Sequence, residues 1–217
     1  MLFRSREYSF NEIREMFTEP KKEMLFDEIK NFFKTRIQTS PAKNDKDQTL
    51  RIPLKDGGTI CVPYWTCVKN NTELLLPVAL QGQSAREIMK YAVCMEIVPF
   101  RSNSEKGVTN AKNTCWNDFT RDLLDLSGAS VIVIVGDKVL DSFVSNVAPK
   151  AMGTLTARQI YHIKIGNKDR LIVKVDFAQG KIRRFKEFFD DGVISVLQNA
   201  VASSPLVQKA LQIIVNN

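Results

Sequence analysis

Apolar residues along this chain change their spacing several times, and each change marks a new element. Up to about residue 38 the period is helical. Ser9 and Glu12 stand at the N-cap and N3 positions of a capping box, and Ile13, Met16 and Phe17 follow on one face. After a break at Pro20, the residues Met24, Leu25, Ile29, Phe32, Phe33 and Ile37 continue at helical spacing. Residues 39–48 are polar, contain Pro41 and read as an exposed loop. Two strands, 49–54 and 59–62, flank a Lys-Asp-Gly-Gly turn at 55–58, a strong hairpin signal. Residues 63–77 read as a turn with a short helix, and Ser84 as the N-cap of another short helix.

From residue 91 the period shortens and then alternates with a helical one. Residues 91–98 form an apolar strand, 99–107 a basic loop, and the region around Trp116 to Leu126 an amphipathic helix. Residues 131–135, Val-Ile-Val-Ile-Val, then run straight into Gly136. A β-branched run bounded by glycine is typical of a strand covered on both faces, so this unit reads as a βαβ crossover at the centre of a parallel sheet. Val131 to Val135, with no polar position, is expected to be the most buried strand. A helix through Leu140 and Phe143 follows and ends near Pro149.

The remaining third begins with a second hairpin, 159–165 and 170–175, turning through Gly166 to Asp169. Helices over about 181–189, 193–202 and 205–215 end the chain, with Pro205 suited to a first helical position. No internal repeat interrupts the pattern. The whole predicts one α/β domain over residues 1–217: a three-layer sandwich with a short, mostly parallel central sheet. Residues 1–48 add a helical N-terminal segment packed on it.

Composition narrows the function classes. A chain of 217 residues with 44% hydrophobic and 25% charged residues has the make-up of a soluble globular protein. No apolar run approaches the roughly 18 residues of a membrane helix. The first residues carry charges too early for a signal peptide, which predicts a cytoplasmic protein. Cys61, Cys67, Cys94 and Cys115 form no Cys-x-x-Cys pair, and His162 is the single histidine. Reduced thiols, no metal and no cofactor are expected. The net charge of +7 suits a polyanionic partner, and DNA or another nucleic acid is the partner expected.

Residues 91–140 carry a family resemblance. Met95-Glu96-Ile-Val-Pro-Phe-Arg101, then Cys115-Trp-Asn-Asp-Phe119 through Leu123-Leu124, then Val131 to Gly136 follow one another in the order and spacing of the uracil-DNA glycosylases, the iron–sulfur types in particular. The resemblance implies a glycosylase-like α/β fold that takes a base out of the helix, holds its edge and stacks it on a ring. It places Glu96 where the family has the Asn that reads the pyrimidine. It matches residues 176–180, Asp-Phe-Ala-Gln-Gly, to the loop that supplies an electrophilic His. No Gly-x-Asn-Pro loop occurs, and Phe100 replaces one cluster cysteine while Cys115 keeps another. Activity on uracil is therefore expected to be weak or absent.

The residues themselves leave three functions open. The first is nucleic-acid binding through Arg101 and Lys106 in one loop and Lys181, Arg183 and Arg184 in another, brought to one sheet edge if their strands are parallel neighbours. Phe100 and Phe177 would then stack bases. The second is excision of another modified base through Glu96 and Asp176, a carboxylate such as Glu96 being able to act as an acid or a base. The third is a structural or protein-interaction domain without nucleic acid. Each candidate has a plainer counterpart: Glu96 paired with Arg101, Asp176 as a helix cap, and the basic residues as solvated faces. Tyr64 and Trp65 read as core rather than a stacking platform. Gly136-Asp-Lys138 reads as a tight turn rather than a nucleotide loop, and Ser142, Ser145 and His162 lack the context of a hydrolase triad.

Overall fold

Three strands at the heart of this computed structural model turn one set of alternate apolar residues to each face of a small sheet. The structure describes residues 38–39, 50–53, 59–61, 63–93, 115–135, 160–175, 177–178, 181–182 and 184–216. The expected N-terminal helices, most of the strand at 91–98 and the helix after Gly136 lie outside these residues.

The two strands expected on either side of residues 55–58 do pair. Strand β1 (Gln38–Thr39) pairs antiparallel with β2 (Leu50–Pro53), which pairs antiparallel with β3 (Thr59–Cys61). Helix α1 (Pro63–Leu75) follows with proline at its first position and ends two residues before Pro77. It is longer than the short helix the sequence suggests. Tyr64, Cys67, Val68, Leu74 and Leu75 recur at helical spacing and all pack into one core. Ser84 caps helix α2 (Ala85–Ile88) by accepting from the Glu87 N–H at 3.3 Å. The strand expected from Tyr91 does not begin there, because Met89–Tyr91 continue α2 as a 3-10 turn.

A π-helical turn (Trp116–Thr120) leads into α3 (Arg121–Ser127), which ends at Gly128 in the left-handed conformation, φ 61°. Strand β4 (Val131–Val135) comes next, then β5 (Ile160–Ile165) and β6 (Lys168–Val175) in the order β4-β6-β5. β4 and β6 run parallel, Val131 beside Leu171 through Val135 beside Val175, while β5 and β6 are antiparallel. Among the described residues the sheet is thus mixed rather than mostly parallel. The turn between β5 and β6 is also tighter than expected. Gly166, at φ +58°, and Asn167 make it alone, and Lys168 and Asp169 belong to β6.

Centrality falls to β6 and not to β4. Ile172, Val173 and Val175 are fully buried, whereas Val133 in the middle of β4 is 36% exposed. Among the described residues β6 has a neighbour on each side and β4 on one. One face of the sheet, with Leu171, Val173, Val175, Val131, Val135 and Ile160, packs on α1 and the C-terminal helices. The other, with Ile132, Ile134, Ile163, Ile165 and Ile172, packs on Trp116 and Leu124. Each such aliphatic side chain contributes about 1.5 to 3 kcal/mol by leaving water.

After β6 the chain departs from expectation again. Instead of a helix from Lys181, β7 (Phe177–Ala178) and β8 (Lys181–Ile182) pair antiparallel, and helix α4 (Phe185–Phe188) is a single turn. Arg184 is extended, at φ −69° and ψ 132°, so the helix starts only where Phe185, Phe188 and Phe189 bury against the sheet. Helix α5 (Asp191–Ala202) is capped by Asp190, whose carboxylate accepts from the Val193 N–H at 2.8 Å. Helix α6 (Pro205–Val215) keeps the expected bounds. Among the described residues no helix is long and apolar enough to cross a membrane.

Candidate functional site

The parallel pairing of β4 with β6 defines one end of the sheet. Val135 and Val175 stand side by side, so β4 and β6 end at adjacent positions. In open α/β sheets the carboxyl ends of parallel strands border the ligand crevice. Beyond β6 the chain passes through the β7–β8 hairpin, with Phe177 opposite Ile182 and Ala178 opposite Lys181, to Arg184. The structure therefore brings Phe177, Lys181 and Arg184 onto one short path from that end of the sheet to α4. Glu96, Phe100, Arg101, Lys106, Asp176 and Arg183 lie outside the described residues.

Arg184 is the basic candidate whose side chain is defined. It is 61% exposed and its Nη1 stands 3.9 Å from Glu187 Oε1, itself 59% exposed. An ion pair of this length between two solvated groups is worth about 0 to 1 kcal/mol, so it holds the guanidinium only weakly. Lys186, on α4, is exposed beside it.

What fixes this segment comes from α1, and the sequence does not announce it. Asn71, buried to 7% exposure, accepts the Phe185 N–H with Oδ1 at 3.0 Å. The first helical N–H of α4 has no partner within its own helix, and Asn71 satisfies it from 114 residues away. On the same helix, the buried Lys69 donates to Glu73 Oε2 at 2.5 Å, and Glu73 Oε1 accepts the Gly82 N–H at 2.9 Å. Gln198 Nε2 donates to the Leu74 carbonyl at 2.8 Å and joins α5 to the same helix. α1 is thus a polar strut inside an apolar shell.

The buried arginine of the sheet has a different task. Arg170, 2% exposed, donates from Nη1 to the carbonyls of Leu124 at 2.7 Å and Ala129 at 3.0 Å. Its Nη2 reaches the Asp125 carbonyl and Oδ1, each at 3.4 Å. Leu124 and Asp125 belong to the last turn of α3 and Ala129 follows it, so the cation sits at the negative dipole end of that helix. Burial pushes the guanidinium pKa down and the Asp125 carboxylate pulls it back up. Nε has no partner among the described residues. Enclosed in this way, Arg170 offers nothing to a phosphate.

Other candidates behave as structure. Tyr64 and Trp65 meet edge to face with centroids 4.8 Å apart, and both pack into the core clusters. Burial and the Glu87 carboxylate raise the Tyr91 phenol pKa, with Lys90 opposing them. Cys115 is buried and Cys67 half-buried, neither of them in a disulfide, and His162 is exposed. Among the described residues no three His, Cys, Asp or Glu side chains gather as metal ligands would. Compared with protein-family models, curated proteins and solved structures, the chain matches none.

Proposed function

We propose that this protein binds nucleic acid along the segment that leaves β6, on a glycosylase-like scaffold with weak or no activity toward uracil. The observation that supports it is the register of Val135 with Val175: two parallel strands end together, and Lys181, Arg183 and Arg184 follow directly. Phosphates would be gripped by these cations and, from the preceding loop, by Arg101 and Lys106, with Phe100 and Phe177 stacking on bases. The resemblance of residues 91–140 to the uracil-DNA glycosylases supplies the scaffold. A three-layer, mostly parallel arrangement of the whole chain belongs to this reading, as does a single domain working in the cytoplasm.

Binding of this kind reads backbone charge rather than sequence. Titration of a labelled DNA duplex at several salt concentrations tests it. The logarithm of affinity should fall linearly with the logarithm of salt, at about 0.9 per phosphate neutralised. Absence of binding at low salt would overturn the proposal. On the same reading, excision of uracil from an oligonucleotide is undetectable or very weak.

A second reading has its own support. Asp176 is the residue after the registered Val175, at the strand end where catalytic groups of α/β proteins cluster, so it and Glu96 would excise a different modified base. Release of a damaged base that is abolished by Asp176→Asn would favour it. The exposed apolar residues Leu206, Ile213 and Val215 on α6 favour a third reading, a protein-interaction domain, which would show as partner binding without any affinity for DNA.

A further inference from the structure

We draw no further inference here: the strongest candidate, the exposed apolar surface that Val196 on α5 and Leu206, Ile213, Ile214 and Val215 on α6 present, carries nothing because nothing in the structure shows what covers it.

Discussion

Arg170, near the start of β6, and Arg184, just before α4, are the same side chain in opposite surroundings. The Arg170 side chain is fully enclosed and both of its terminal nitrogens donate to the end of α3 and the turn after it, while that of Arg184 is 61% exposed beside one distant carboxylate. Both count equally toward the net charge of +7. Only Arg184 is available to a partner. The contrast shows why a basic composition says little until each cation is located: a cation that caps a helix is part of the fold, and one held loosely at a strand end is part of a surface.

The largest effect should come from the strand that connects these two ends. Ile172→Ala should cost about 2 to 5 kcal/mol, because a fully buried side chain leaves both lost contacts and a cavity. Val133→Ala, at a position 36% exposed on β4, should cost less than about 1 kcal/mol. Urea denaturation of the two variants ranks the strands. Equal losses would mean that β4 is as central as β6.

Arg170→Met should come next, at about 2 to 4 kcal/mol. The methionine fills much of the volume but removes the guanidinium donor from the Ala129 carbonyl and leaves the Leu124 carbonyl with the Ser127 hydroxyl alone. Arg170→Lys should recover only part of this, since an ammonium cannot span carbonyls that a planar fork reaches together. A loss below about 1 kcal/mol for Arg170→Met would erase the distinction between the two arginines.

How much of this was legible in the sequence depends on whether the signal was local. The pairing of β2 with β3, the Ser84 cap, the strand Val131 to Val135 and the Pro205 start of α6 are all written within a few residues, and each is present in the structure. Helix α1 was underestimated because Lys69, Asn71 and Glu73 interrupt its apolar pattern. Their partners, the Gly82 and Phe185 N–H groups, become neighbours only in the folded chain. The burial of β6 is hidden for a similar reason: Lys168, Asp169, Arg170 and Lys174 make it look half-solvated, yet Ile172, Val173 and Val175 are fully buried and among the described residues it pairs on both sides. The strand at Lys181–Ile182 was read as helix, since a basic and apolar run fits either period until Phe177–Ala178 pairs with it. Of the candidate site, Phe177, Lys181 and Arg184 were legible as residues. Asn71, which fixes the segment after them, was not.

That buried asparagine permits a test of whether the exposed end is held from within. Asn71→Ala should cost about 1 to 2 kcal/mol, since it leaves the Phe185 N–H buried without an acceptor. It should also weaken DNA binding, because the path from β8 to α4 loses its anchor. Amide exchange at Phe185 provides the check. Unchanged protection there would show that another group satisfies this N–H.

The smallest effect on stability should come from the exposed cations, and it should coincide with the largest effect on binding. Arg183→Glu with Arg184→Glu should change the unfolding free energy by no more than about 0.5 kcal/mol, because a weak surface pair with Glu187 is all that the structure shows Arg184 to lose. The same double reversal should lower DNA affinity for every sequence alike. It should also flatten the salt dependence by about one to two in slope, since each removed cation stops displacing a counterion from the duplex. Reversing Lys209 on α6, exposed but remote in sequence from the β6 segment, serves as the control for net charge and should flatten the slope by less. If the Lys209 reversal and the double reversal weaken binding in simple proportion to charge, the affinity belongs to the whole surface. In that event the distinction between an arginine that builds and one that binds fails at its second half.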